Sequence, residues 1–261
     1  MTPGDANPRH AREGEHPGAA SGHFFVPTGM PEASPGRWGD LGIRMLSALV
    51  LAPVALACVW VGGIAFTLVV AAIMLGLVIE WLALCRQPAA RAAGALLRPA
   101  GLAYVAVAGG ALLWLRDDPV AGRPDVLFLL LVVWAGDIGA YLVGRWIGGP
   151  RLAPRISPGK TWSGSLGGLF AAIAVGLLAA HFIPGTATAW RGVLIAALLG
   201  VVAQAGDLLE SFVKRRLEVK DSGHLIPGHG GLVDRLDGVL AAAPVAALLA
   251  LSLGRGVVLW Q

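Results

Sequence analysis

Long apolar segments, separated by short polar ones, make up most of the chain after a polar start. Residues 1–36 are rich in Pro, Gly, Ala, His and charge, a composition typical of a flexible tail. Each later apolar segment is near the roughly 17–25 residues of a membrane-spanning helix, the third being shorter. These segments lie at about 45–61, 64–84, 100–115, 126–144, 164–183, 192–210 and 238–256. Because the apolar runs are continuous and do not alternate, the pattern predicts an all-α polytopic membrane protein with about seven transmembrane helices.

Composition agrees with this fold class. Hydrophobic residues make up 56% of the chain and charged residues 14%, with a mean hydropathy of +0.71, more apolar than the single core of a soluble protein could hide. Cys58 and Cys85, the two cysteines, fall near opposite ends of a predicted helical hairpin, which argues against a disulfide or a zinc site. The net charge of +4 lies in short loops, which favours contact with anionic lipid or phosphate over nucleic acid.

The basic residues are concentrated on one side of the predicted bundle. With the N-terminus in the cytoplasm, the inner side receives Arg37, Arg44, Arg86, Arg91, Arg98, Arg145, Arg151, Arg155, Lys160, Lys214, Arg215, Arg216, Lys220 and Arg235. The outer side receives Arg116, Arg123, Arg191 and Arg255. This is the positive-inside pattern. It places the polar loops 145–163 and 211–237 in the cytosol. The chain then divides into an N-terminal region, 37–125, with three spans, and a C-terminal region, 126–261, with four spans and these two loops.

A carboxylate inside the sixth apolar segment is the first candidate for chemistry. Asp207, Ser211 and Lys214 fall at i, i+4 and i+7 on one helical face. Glu210 lies four residues before Lys214, a spacing that predicts an ion pair worth a few tenths of a kcal/mol. An acid within an apolar span costs at least about 2.5 kcal/mol, so Asp207 needs a cation or a metal as partner. Asp137 in the fourth span raises the same expectation.

The polar stretch before the last span, "KDSGHLIPGHGGLVDRLDG" at 220–238, is denser in charge than a simple turn requires. Asp234 and Asp237 could cap the seventh helix. Alternatively, together with Asp207, they could hold a hard cation through oxygen ligands, which suits Mg²⁺ bridging phosphates. His224 and His229 have no cysteine nearby, so hydrogen bonding or phosphate contact is favoured over zinc ligation.

The other polar loop, "RLAPRISPGKTWSG" at 151–164, has a composition that suits a phosphate. Lys160 provides a point charge, while Ser157 and Thr161 provide hydroxyl groups beside the backbone N–H groups of a helix start. A Walker A loop is rejected, because position 154 is proline where that motif requires glycine. The two loops together predict a soluble phosphorylated substrate that meets a lipid at the membrane surface.

Residues 211–237 resemble the signature of the phosphatidate cytidylyltransferase family, also called CDP-diacylglycerol synthases. The pattern S-x-x-K-R, K-D, P-G-H-G-G and D-R-x-D is present in full. The stretches 136–145 and 151–164 are also similar to that family, so the resemblance extends from about 126 to 250. It implies condensation of CTP with phosphatidic acid, dependence on Mg²⁺ with a site of two cations, a bacterial cytoplasmic membrane, and often a homodimer. Longer members have about two more spans in the N-terminal half.

The resemblance also implies roles for individual residues. Asp207 and Asp234 are expected to bind metal, with Asp137 and Asp237 as additional acids. Matching positions imply phosphate contacts from Ser211 and Lys220, while Ser157, Lys160, Thr161 and His229 are expected to contact substrate because of their residue types. The expected catalytic residues are Lys214, Arg215, Asp221 and Arg235.

Two alternative functions remain to be weighed. A CDP-alcohol phosphotransferase also uses clustered aspartates and Mg²⁺, but its D-G-x-x-A-R pattern fails after Asp237-Gly238. An ion or phosphate transporter could use Asp137 and Asp207 as coupling groups. The dense polar loops on one side argue against a transporter, which needs polar groups that both sides can reach.

Overall fold

The computed structural model describes residues 52–88, 90, 95–182, 189–219, 222–223 and 231–260. Its helices are α1 (Ala52–Val61), α2 (Gly63–Leu84), α3 (Leu97–Arg116), α4 (Gly122–Ile147), α5 (Trp162–Phe182), α6 (Ala189–Arg216) and α7 (Val233–Leu253). The strands are β1 (Arg151–Ala153) and β2 (Ser157–Thr161). The predicted tail lies outside the described residues, as do four polar residues of the last loop: Lys220, Asp221, His224 and His229.

Helices α2 to α7 are each long and apolar enough to cross a membrane. They confirm six of the predicted spans and the interpretation as a polytopic membrane protein. Their outer faces carry large apolar side chains such as Ile64, Phe170 and Leu248, at 79%, 68% and 66% exposure, which suits contact with lipid. The first predicted span, 45–61, is described only from Ala52 onward and therefore stays a prediction.

The last predicted loop is shorter than expected at both ends. Helix α6 continues to Arg216 and α7 begins at Val233, so the loop bounds 211–237 were wrong. The two helix ends are joined by the ion pair of Lys214 with Asp234. Asp234 and Asp237 are therefore helical, one turn apart.

The other polar loop contains a feature that the apolar pattern did not predict. Strands β1 and β2 form an antiparallel hairpin in which Arg151 lies opposite Thr161 and Ala153 opposite Ser157, with an irregularity between them. At three and five residues, these strands are too short for a period-two signal, and they include a proline and a glycine. The hairpin delivers its last residues directly to the start of α5.

Glycines allow the C-terminal helices to approach closely. A Cβ on Gly139 would lie 2.8 Å from the carbonyl oxygen of Gly167, and one on Gly164 would lie 2.8 Å from that of Ala140. Helices α4 and α5 therefore pack backbone against backbone, as small residues permit in membranes. A Cβ on Gly206 of α6 would lie 2.9 Å from the carbonyl oxygen of Asp237. Helix α7 is thus brought against α6 at the level of their acidic residues.

The segment after α7 folds back onto the loop between α3 and α4. Asp118 accepts hydrogen bonds from the backbone N–H groups of Val120 (2.9 Å), Ala121 (2.8 Å) and Gly256 (2.7 Å). Burial raises the pKa of Asp118, but these three donors outweigh it and hold the pKa below its usual value. The C-terminal segment is therefore fastened by an ionised carboxylate.

We predict that Asp118→Asn lowers the free energy of unfolding by about 1–3 kcal/mol at neutral pH, because buried backbone donors lose a charged acceptor. Because the pKa of Asp118 is lower in the folded state than its usual value of 3.8, its ionised carboxylate stabilises the fold fully at pH values above 3.8. That stabilisation is lost as the pH falls through the folded-state pKa. The difference in melting temperature between wild type and variant, measured in detergent, should therefore shrink below about pH 4.

Asp117→Asn is the matched control, because the Asp117 side chain is 78% exposed and contacts only Arg255 in the described part of the chain. We expect it to shift stability by less than about 0.5 kcal/mol. An equal effect of the two variants at neutral pH would contradict the fastening role of Asp118.

Candidate active site

Three carboxylates from α6 and α7 converge where these helices approach most closely. Asp207, Glu210 and Asp237 each place an oxygen within 4.8 Å of the others. The approach depends on Gly206, where any side chain would meet the backbone of α7. Like charges at this separation repel, and a cation beside them would relieve the repulsion. We call these three residues the acidic cluster.

Glu210 supplies the clearest sign that the acidic cluster suits a cation. Its Oε1 is buried and has no hydrogen-bond partner among the described residues. The nearest positive charge is Lys214 Nζ, at 3.4 Å, within ion-pair range but too long for a strong hydrogen bond. Lys214 therefore satisfies this buried oxygen only in part, and a further ligand would lower the cost of its burial. Three carboxylates are also the donor set that Mg²⁺ prefers, so these residues fit such an ion.

Lys214 joins the acidic cluster to a fourth carboxylate. Its Nζ lies 2.6 Å from Asp234 Oδ1, while Asp234 Oδ2 accepts hydrogen bonds from the backbone N–H groups of Ser222 (3.1 Å) and Gly231 (3.2 Å). Asp234 thus lies beside the acidic cluster, where it contacts both Glu210 and the Lys214 ammonium group. The structure brings Asp207 and Asp237 together. That Asp207, Asp234 and Asp237 bind a metal ion stays a prediction.

A second lysine reaches the acidic cluster from the hairpin. Lys160 forms an ion pair with Asp207 Oδ2, so strand β2 is held against α6. The hairpin is held to the same helix by Arg215, whose Nε donates to the carbonyl oxygen of Ile156 at 3.2 Å. Two predicted substrate-contacting regions, distant in sequence, therefore meet at one end of α6.

A cavity of about 620 Å³ opens beside this ion pair, and we call it the polar cavity because several charged side chains line it. Its lining comes from α4, the hairpin, α5 and α6, and includes Asp137, Arg145, Arg151, Lys160, Ser165, Gln204 and Asp207. Asp137 is exposed to this space, where a partner for its charge can reach it. The cavity brings together the predicted residues Asp137, Lys160, Thr161 and Asp207.

The hydroxyl groups of the hairpin have structural partners as well. Thr161 Oγ1 accepts a hydrogen bond from the backbone N–H of Gly164 at 3.1 Å, which makes Thr161 the N-cap of α5. Its side chain also contacts Ser163 at 3.0 Å. Ser157 lies at the far end of β2 and is partly buried. Their substrate roles stay predictions, as do those of Ser211 in α6 and Arg235 in α7.

A second cavity, of about 340 Å³, lies on the other side of the acidic cluster. Its lining is apolar along most of its length, with Trp81, Leu84, Leu97, Tyr104, Val105, Leu209, Val213 and Leu240. Glu210, Lys214, Ser222 and Asp237 line it as well. The acidic cluster therefore lies between the two cavities, with Asp207 in the lining of the first and Glu210 and Asp237 in that of the second.

Sequence reasoning missed two acids of this region. Glu210 was explained by its spacing to Lys214 alone, so its contact with Asp207 and Asp237 was not foreseen. Glu80, on α2, was passed over, although a carboxylate in an apolar segment is the signal that identified Asp207. Glu80 is 3% exposed and accepts hydrogen bonds from the backbone N–H groups of residues 232 and 233.

Comparison with known proteins places the chain among enzymes of phospholipid synthesis. The model of the "Cytidylyltransferase family" matches residues 99–253. A protein of Brucella suis biovar 1 (strain 1330) named phosphatidate cytidylyltransferase is 41% identical over 253 residues, covering 80% of this chain and 93% of the relative. A protein with the same name from Haemophilus influenzae is 44% identical over 131 residues, which cover 49% of this chain and 46% of the relative. One from Mycobacterium leprae is 48% identical over 128 residues, which cover 49% of this chain and 41% of the relative.

We predict that the acidic cluster binds Mn²⁺, which suits the same oxygen ligands as Mg²⁺. Asp207→Asn and Asp237→Asn should each weaken binding roughly tenfold or more, because each removes a charged ligand. The electron paramagnetic resonance signal of free Mn²⁺, titrated with protein in detergent, measures this affinity. Asp117→Asn, at an exposed acid, should bind as wild type does. Unchanged affinity in both cluster variants, with folding intact, would show that the cation binds elsewhere.

Proposed function

Because the chain belongs to the cytidylyltransferase family, we propose that it is a phosphatidate cytidylyltransferase, which condenses CTP with phosphatidic acid to give CDP-diacylglycerol and pyrophosphate. The relative from Brucella suis, which bears this name, is matched along 93% of its length. The observation that carries the proposal is the position of the acidic cluster between two cavities. Asp207 lines the polar cavity, and Glu210 and Asp237 line the apolar one. One substrate of this reaction is water-soluble and the other is a lipid.

We assign CTP to the polar cavity. Its volume of about 620 Å³ lies within the usual range of roughly 300–1,000 Å³ for ligand sites. Arg145, Arg151 and Lys160 line it, and such cations suit a triphosphate. Ser165 and Gln204, which hydrogen-bond to each other across α5 and α6, offer neutral polar groups for the rest of the nucleotide.

We assign phosphatidate to the apolar cavity. Aliphatic and aromatic walls suit its acyl chains, since they remove apolar surface from water or from disordered lipid. Lys214 lines the same cavity, so its ammonium group can meet the phosphate of a lipid whose chains lie among Trp81, Leu97 and Val213. Phosphatidate is thereby oriented with its phosphate toward the acidic cluster.

We propose Asp207, Glu210 and Asp237 as ligands of Mg²⁺. The family resemblance adds Asp234 as a metal ligand and implies a site of two cations. The buried Glu210 oxygen without a hydrogen bond supports this assignment. When bound, Mg²⁺ would neutralise negative charge that develops on phosphate oxygens. The chain's own part is to keep four carboxylates close together inside an apolar bundle, with Lys160 and Lys214 as their counter-charges.

The reaction follows from the placement of the two phosphates. A phosphate oxygen of phosphatidate attacks the α-phosphorus of CTP, a new P–O bond forms, and the bond from that phosphorus to the bridging oxygen breaks. Pyrophosphate leaves with the electron pair of that bond. Phosphatidate is already anionic near neutral pH, so no strong base is required. Lys214, Arg215 and Arg235 stabilise the charge of the transition state and of pyrophosphate, and such transfer depends mainly on positioning and electrostatics.

The location of the reaction follows from the distribution of Lys and Arg. We propose that the chain lies in the bacterial cytoplasmic membrane with the polar cavity open to the cytosol, where CTP is available. The positive-inside pattern supports this orientation. We also propose a homodimer, and the family resemblance is the reason for this proposal.

We predict that the purified protein in detergent releases pyrophosphate when CTP, phosphatidate and Mg²⁺ are all present, and that CDP-diacylglycerol appears in equal amount. Reactions that lack lipid, contain ATP in place of CTP, or contain a chelator of Mg²⁺ should show no release. Phosphate detection after pyrophosphatase treatment and mass spectrometry of the lipid measure the two products. Release without lipid, or equal release from ATP, would contradict the proposed reaction.

We also predict that Val213→Trp, which fills the apolar cavity, raises the KM for long-chain phosphatidate roughly tenfold, because the indole takes the place of part of an acyl chain. The KM for a short-chain phosphatidate should change less, and that for CTP should stay within about twofold. Val201→Trp lies on the same helix at a 52% exposed position and is the matched control. Equal changes in both variants, or a changed KM for CTP alone, would contradict the assignment of the two cavities.

A further inference from the structure

Glu80 is a buried acid that the proposed mechanism does not use. It lies near the C-terminal end of α2, an apolar helix that ends at Leu84. Only 3% of its surface is exposed. A buried carboxylate without partners would strongly destabilise the fold, so its contacts should indicate its purpose.

Both carboxylate oxygens of Glu80 are directed at the start of α7. Oε1 accepts a hydrogen bond from the backbone N–H of Leu232 at 2.8 Å, and Oε2 accepts one from Val233 at 3.0 Å. The hydroxyl of Ser222 lies 3.5 Å from Oε2. These contacts join residues separated by more than 140 positions in the sequence.

The start of α7 depends on this outside acceptor. The first N–H groups of a helix have no partner within the helix, and the N-cap residue Leu232 provides no side-chain hydrogen bond. Glu80 therefore does for α7, from another helix, what a capping side chain does locally. Its negative charge also lies at the positive end of the helix dipole.

The capped turn carries the acids of the site. Asp234 follows Val233 directly, and Asp237 comes one turn later in α7. The space around Glu80 is filled closely, since a Cβ on Gly223 would lie 2.8 Å from Glu80 Oε1. Asp234 in turn accepts from the N–H groups of Ser222 and Gly231. Glu80 and Asp234 thus both bind Ser222 and the residues at the start of α7.

We propose that Glu80 is a positioning residue for the active site, which fixes the first turn of α7 and thereby sets where the carboxylates of Asp234 and Asp237 stand relative to Asp207. This inference rests on the proposed function for the identity of the site. It assigns to α2, which contributes no acid to the acidic cluster, a direct role in shaping the cation site.

The main test uses Glu80→Gln. An amide keeps the shape but replaces one acceptor oxygen by an NH₂ group, so one of the two backbone N–H groups loses its acceptor. We expect amide hydrogen exchange at residues 232–234 to accelerate at least about tenfold. We also expect Mn²⁺ affinity, measured by electron paramagnetic resonance, to weaken roughly tenfold, as for other groups that orient metal ligands. The concentration of Mg²⁺ for half-maximal turnover should rise in parallel.

Gly223→Ala is a second variant, which disturbs the same contact from the other side and leaves Glu80 in place. It should weaken Mn²⁺ binding in the same direction. Val70→Ala is the matched control: Val70 is 5% exposed in the same helix, about 15 Å from Glu80 along the axis. It should lower the melting temperature by removing buried methyl groups and leave Mn²⁺ affinity and the Mg²⁺ requirement unchanged.

Two results would overturn the inference. One is a Glu80→Gln protein that exchanges faster and melts lower but binds Mn²⁺ with wild-type affinity, since Glu80 would then be structural only. The other is an equal loss of Mn²⁺ affinity in Val70→Ala. Exchange and Mn²⁺ binding need no turnover, so they decide the role of Glu80 even if the wild type fails to release pyrophosphate. Such a failure would count against the proposed function instead.

Discussion

Carboxylates within an apolar bundle must be paired, and this constraint organises the C-terminal half of the molecule. Each would cost at least about 2.5 kcal/mol if it faced lipid. Asp207 and Asp234 are instead matched with Lys160 and Lys214, while Glu80 is matched with backbone N–H groups. The helices are consequently held in one arrangement by polar contacts that have no alternative partners in lipid. The same contacts that make the acids tolerable also place them together.

Close approach of helices makes this pairing possible. At Gly206, α7 comes so near to α6 that a methyl group would meet its backbone, and the acids on either side come within 4.8 Å. At Gly139 and Gly164, α4 and α5 approach in the same way, which brings the hairpin and Lys160 over the end of α6. Small residues in this protein therefore have a chemical consequence as well as a packing one, because they set the distances between charges.

Two substrates of opposite polarity can be served by such an arrangement. The polar cavity is bounded by the hairpin and by α4 to α6, and the apolar one by α2, α3, α6 and α7. The acids lie between them, which is where a soluble nucleotide and a lipid phosphate have to meet. In the proposed assignment, α2 and α3 line the cavity for the lipid, and α2 also holds the first turn of α7 through Glu80.

Sequence patterns predicted six described spans and identified Asp207 as a candidate, because continuous apolar runs and an isolated acid within them are local signals. They could not predict the hairpin, whose strands are too short for periodicity to show. They also assigned Glu210 to a simple pair with Lys214, since its neighbours on α7 are distant in sequence. The start of α7 was placed too late for a related reason: its polar first turn is capped by Glu80 from another helix. What the sequence alone leaves open is therefore the set of contacts between helices.

The most direct test is an experimental structure of the protein with CTP and Mn²⁺, in which anomalous scattering locates the ion. The account predicts a Mn²⁺ peak bound by carboxylate oxygens of Asp207 and Asp237, with the triphosphate of CTP reaching it from the side of Lys160. A Mn²⁺ ion bound to the nucleotide but away from these acids, or a nucleotide in the apolar cavity, would contradict it.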